Sequence, residues 1–205
     1  MIAEYLRLNI PIKDKEFDMI YPAQLRKLSK RHFTRVDIAI KAARFLATDP
    51  KQRVLDIGSG VGKFCFVAGS YSDTQYTGVD YRKHFIELSN KLAAKHRFKN
   101  VRFIHGNITE VDFSQYNGFY FFNSFQEQID NSCIIDESVE VNQENYAKFS
   151  AYLKKEWSKM PVGTRIVSYH TYLNQIPDSY MLVEMHFDGL LKCWEKTNNP
   201  ISKLL

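Results

Sequence analysis

The stretch Val54-Leu55-Asp56-Ile57-Gly58-Ser59-Gly60-Val61-Gly62 constrains this chain more than any other. A short apolar run carries a carboxylate near its end, three glycines follow at alternate positions, and Phe64, Val67 and Ala68 start an apolar helical spacing. That order predicts a buried strand, a tight turn and then a helix, with glycines letting a ligand approach the backbone where no Cβ intervenes. The carboxylate narrows the ligand. A dinucleotide sets its pyrophosphate on such a turn, at the helix N-terminus, and Asp56, two residues before Gly58, would repel it. A negative strand tip would instead draw in an ammonium or sulfonium cation. The glycine spacing also departs from the Gly-x-Gly-x-x-Gly of dinucleotide sites.

The segment resembles motif I of the class I, seven-strand S-adenosylmethionine-dependent methyltransferases. The resemblance implies a three-layer, Rossmann-like α/β sandwich: a mostly parallel seven-stranded sheet with an antiparallel C-terminal hairpin. It also implies S-adenosylmethionine as cofactor, held at Asp56, Gly58, Ser59 and Gly60 beside the carboxyl ends of the first strands.

Three more segments follow at suitable spacing. Tyr76-Thr77-Gly78-Val79-Asp80 is a β-type run ending in an acid 24 residues after Asp56. A carboxylate there can accept both ribose hydroxyls of an adenosine, the role the family implies for Asp80, with Tyr81 beside it. Capping the helix from Arg82 onward is the alternative. Val101 to Ile108 reads as a third strand closed by Gly106-Asn107. The resemblance places Asn107 at the adenine amino group, accepting through its amide oxygen, and Ile108 over the adenine face; a plain turn residue is the other reading of Asn107. Gly118 to Phe125 is a continuous apolar run suited to a central strand. Its end, Asn123-Ser124-Phe125, should lie beside the reactive methyl group, or simply cap a buried strand.

Methyl transfer from a sulfonium needs positioning more than activation, and it requires no metal. The histidines show no ligand spacing. An amine nucleophile must lose its proton, and His170, at the end of the fifth strand, and Glu127, just after the fourth, are the candidate bases alongside Asn123 as a substrate contact. The motif I segment and Asn123-Ser124-Phe125 also resemble the non-SET histone-lysine methyltransferases and related small protein-lysine methyltransferases. That likeness implies a lysine or other amine as acceptor. A small-molecule O-, N- or C-methyltransferase and a catalytically silent cofactor-binding protein are the alternatives.

Around these motifs the chain divides into an N-terminal helical extension or lid, residues 1–50, and a methyltransferase domain, residues 51–205. Helices are expected at Ala23–Lys30, Val36–Ala47, after Gly60, at Arg82–Arg97 and at Glu144–Lys159. Thr34 and Asp37 have capping-box spacing, and Phe33-Thr34-Arg35 is similar to a Phe-Thr-Pro segment that meets the cofactor's methionine part in several methyltransferases, so Thr34 is both a cap and a cofactor candidate. Residues 131–145 read as an insertion loop beside the active site. Arg165 to His170 is a fifth strand, and Tyr180–Phe187 and Leu190–Lys196 flank the hairpin signal Asp188-Gly189.

With 205 residues, 44% of them apolar, the chain can build one well-buried core. Three widely separated cysteines, no leader-like start and no apolar block of spanning length predict a soluble, cytoplasmic protein without a disulfide frame or a membrane anchor. A net charge of +5 is too mild to argue for nucleic acid, and the basic run Arg26 to His32 reads as a solvated helix face. The oligomeric state stays open.

Overall fold

A computed structural model describes residues 2–8, 10–125, 128–130, 135–136 and 142–198. Five helices come first: α1 (Ile2–Arg7), α2 (Asp14–Phe17), α3 (Ala23–Arg26), α4 (Ser29–His32) and α5 (Val36–Leu46). Alternation then begins: β1 (Arg53–Ile57), α6 (Lys63–Tyr71), β2 (Gln75–Asp80), α7 (Lys83–His96), β3 (Val101–His105), β4 (Gly118–Phe122), α8 (Gln143–Lys159), β5 (Arg165–Tyr169), β6 (Tyr180–His186) and β7 (Leu191–Lys196). The strands form one sheet in the order β3-β2-β1-β4-β5-β7-β6. The first five are parallel, while β7 runs antiparallel to β5 and β6 antiparallel to β7. This is the Rossmann-like methyltransferase architecture.

Two apolar layers cover the sheet. On one face Val54, Tyr76, Tyr120, Val167 and Cys193 pack with residues of α5, α6 and α7. On the other, Leu55, Phe119, Phe121, Ile166 and Trp194 pack with Leu153 and Trp157 of α8. Burial on both faces explains why β1 and β4 read as continuous apolar runs.

The N-terminal region corrects two expectations. The single helix expected over Ala23–Lys30 is two short ones, α3 and α4, separated at Lys27 and Leu28. Thr34 does not cap α5, because Arg35 occupies the cap position and provides no side-chain cap. The cap comes from far upstream: Asp14 Oδ1 accepts from Val36 N–H at 3.0 Å. At the other end, α8 begins at Gln143, so residues 143–145 of the expected loop are helical. Of that loop, residues 131–134 and 137–141 lie outside the described residues, as do Glu127 and Cys133. Among the described residues, no helix is long and apolar enough to cross a membrane.

Candidate functional site

At the carboxyl ends of β1, β2 and β4, the chain builds a two-lobed groove. The N–H groups of Gly58 and Ser59 both donate to Val79 O at 2.9 Å, folding the turn after β1 onto β2. Gly58 has φ +71°, and a Cβ there would lie 2.3 Å from Ser124 Cβ, so only glycine lets the ends of β1 and β4 meet. The Ser124 hydroxyl closes that junction by donating to Ile57 O. It thus works as a clasp between strands while bordering the groove. Gly60, at φ +53°, donates its N–H to Asp80 Oδ2 at 2.8 Å, and an added Cβ would meet nothing within 4 Å. That open space belongs to a cavity.

The first cavity, about 320 Å³, is lined by Thr34, Asp56, Gly60, Phe64, Asn123 and His170 among others. The second, about 300 Å³, is lined by Tyr81, Asn107, Ile108, Phe125 and Phe149. Gly58, Asp80, Arg82 and Ser124 border both. Thr34, Asp56, Gly58, Ser59, Gly60, Asp80, Asn123 and His170 therefore share the first lobe, while Tyr81, Asn107 and Ile108 meet Asp80 in the second.

The local chemistry departs from expectation at three places. Asp56 is only 3% exposed, and burial pushes its carboxyl pKa up to about 8, with the nearby Asp80 adding to the rise. Cys65 Sγ donates to Asp56 Oδ2 at 3.4 Å. The strand tip is thus largely protonated at neutral pH, and a cation would have to displace a proton there. Asn107 spends its amide oxygen locally, accepting from Thr109 N–H and Thr109 Oγ1, both at 3.0 Å. An adenine amino group would find that acceptor engaged, so the amide nitrogen is what Asn107 offers the lobe. Asp80 combines two readings, since Oδ1 accepts from Arg82 N–H at the start of α7 while the residue faces both lobes.

His170 has φ +53° and sits 5.8 Å from the Phe122 ring. Partial burial and the Lys192 charge hold its pKa below the usual 6.5. Asn123 is likewise at positive φ, +37°, where asparagine is tolerated better than most residues.

Several residues at the groove escaped the sequence reading. Lys63 is 2% exposed, and its Nζ lies 2.6 Å from Asp14 Oδ1 and 2.7 Å from Asp18 Oδ1, while the Ser29 hydroxyl donates to Asp18. Thr34 Oγ1 is 3.0 Å from Tyr120 Oη, and the Tyr120 ring stacks on Phe64 at 3.8 Å between centroids. Arg31 and His32, read as a solvated face, line the first lobe. Arg82 Nε reaches Asp136 Oδ1 at 3.2 Å, which ties the insertion to the start of α7. Only Lys63 carried a signal, as a charged residue directly after the glycine turn.

A sequence model described as a methyltransferase domain matches residues 48–178. No curated protein sequence matches the chain. Among solved structures, the chain is similar to TrmN from Thermus thermophilus, with a TM-score of 0.61 and 15% identity over 85% of this chain and 52% of that one. It spans about half the length of that protein. It is also similar to an RNA methyltransferase from Salinibacter ruber in complex with S-adenosyl-L-homocysteine, with a TM-score of 0.55 and 18% identity over 83% of this chain and 94% of that one. A precorrin-6y C5,15-methyltransferase from Geobacter metallireducens gives a TM-score of 0.54 and 10% identity over 81% and 91%. Nucleic-acid and small-molecule enzymes thus share this fold. With the family model covering more than half of the chain and the sheet order agreeing, the chain belongs to the methyltransferase-domain family, the class I, S-adenosylmethionine-dependent methyltransferases.

Proposed function

We propose that the chain transfers a methyl group from S-adenosylmethionine to an amine nitrogen. The two-lobed groove fits the cofactor: the open space at Gly60 and the carboxyl of Asp56 suit a cationic amino-acid half, and the lobe at Asn107 suits an adenosine. Asp56, Gly58, Ser59 and Gly60 would hold the first half, with Thr34 in the same lobe. Asp80 would accept the ribose hydroxyls, while Tyr81, Asn107 and Ile108 would border the base. When bound, the cofactor supplies a methyl group already activated on sulfur, so the protein's task is positioning and proton removal.

His170 carries the amine reading. It lines the same lobe as Asn123, and its lowered pKa leaves the imidazole neutral at pH 7, the form that accepts a proton. Residues 1–50 would serve as the lid of this lobe, reaching it through Arg31 to Thr34.

The test is incorporation of radiolabelled methyl groups into cell extract, separated into protein, nucleic-acid and metabolite pools. Label is expected in amines of the protein or metabolite pool, and which of the two separates a lysine from a small-molecule acceptor. His170→Gln should lower kcat about a hundredfold with cofactor affinity unchanged. Label confined to nucleic acid, or full turnover in that variant, would refute the amine reading.

A further inference from the structure

We propose that Glu184, His186 and Cys193 form a binding site for a borderline-soft divalent cation of the zinc class, away from the cofactor groove. One ligand atom from each lies within 4.8 Å of the other two. The three types suit such an ion: a sulfur, an imidazole nitrogen and a carboxylate oxygen, leaving a fourth position open to water.

The β6–β7 ladder explains how they meet. Leu182 pairs with Trp194, and the next pair is Glu184 with Cys193, so Val183 is an extra residue bulged out of the ladder. A regular ladder continuing from Leu182 would set Val183 against Cys193 and Glu184 against Lys192 on the opposite face. The bulge instead turns Glu184 to the α5 side, where Cys193 is buried, and His186, two residues on, follows it. Counted from the Asp188-Gly189 turn, a regular hairpin already pairs Glu184 with Cys193, and the bulge at Val183 absorbs the offset toward Leu182 and Trp194.

His186 Nε2 and Glu184 Oε2 are 2.7 Å apart, and Lys41 Nζ of α5 lies 3.2 Å from Glu184 Oε2. Lys41 thus supplies the positive charge at this spot. Its side chain is one-third exposed and can swing outward when an ion arrives. Binding would exchange the thiol proton of Cys193 for a metal–sulfur bond and release that proton to water. The ion would then crosslink the edge strand to β7, whose preceding turn accepts the His170 N–H at Leu190 O.

Cobalt(II), added to chelator-treated protein, is the probe. One equivalent should give a near-ultraviolet thiolate-to-cobalt band with the intense visible bands of a tetrahedral site. Cys193→Ser should abolish the near-ultraviolet band, while Cys133→Ser should keep it. His186→Ala, at a partly exposed position and so a variant expected to fold, should weaken binding at least tenfold. Lys41→Ala, which removes the competing charge, should tighten it. A wild-type protein without the band, a band surviving Cys193→Ser, or unchanged affinity in both His186→Ala and Lys41→Ala would overturn the site.

Discussion

At the Asp56 end of the groove the bonds that brace the walls join distant segments, whereas the turn that carries Asn107 at the other end is braced by near neighbours. Lys63 pairs with Asp14 across 49 positions, and Thr34 reaches Tyr120 across 86. Around Asn107 the bonds to its own side chain and backbone span only two or three residues, to Thr109 and Glu110, and Tyr152 Oη of α8 adds one longer tie by donating to Thr109 O. The first lobe can form only when the whole chain has folded, and it buries charge to do so. In the second, the turn at Asn107 holds itself locally, and Phe125 and Phe149 close the lobe over it. Loss of an interaction should therefore damage the first lobe through stability and the second through fit.

The sharpest test of that contrast is Lys63→Met. It leaves the Asp18 carboxylate buried without its cation, so urea unfolding should show a loss of about 3–5 kcal/mol. Adding Asp18→Asn should recover much of it. A loss under about 1 kcal/mol would place the pair among ordinary surface ion pairs and remove the contrast.

Asp80 joins the lobes, and Asp80→Ala should weaken adenosyl binding by about 2–3 kcal/mol in calorimetry, the scale of lost charge-assisted hydrogen bonds. An unchanged affinity would detach Asp80 from the ribose. Next comes pH. The free protein holds Asp56 protonated below about 8, so a cation binding there must expel a proton. Affinity for S-adenosylmethionine should climb with pH, by up to about tenfold per unit from pH 6, and level off above about 8. A flat profile would mean that the cation does not face Asp56. The smallest effect belongs to Asn107→Ala, which should cost about 1 kcal/mol of stability through the lost cap. A larger loss of cofactor affinity than of stability would return its side chain to the adenine.

Legibility followed the same division. The strand order and the groove's central residues were readable because Gly58 to Gly62, Asp80 and the apolar run of β4 are each short, local patterns. The capping role of Thr34 failed because capping-box spacing assumes a neighbour, and the cap came from Asp14 instead. Asp56 was placed correctly at the strand end, but the rise of its pKa was not legible, because residue type does not show how deeply a carboxyl is buried. Lys63, Cys65 and Tyr120 acquire their partners only through packing, and no periodicity announces that. Glu127 lies outside the described residues.

The extra residue in β6 also governs how the C-terminal hairpin tolerates changes of length. Since the ladder skips Val183, a chain lacking that one codon would keep Glu184 against Cys193 and His186 against Leu191 while gaining a regular strand. An added residue just after Glu184 would turn the rest of the strand over, setting His186 on the opposite side of the sheet. Trimming there is the mild lesion, and lengthening is the severe one.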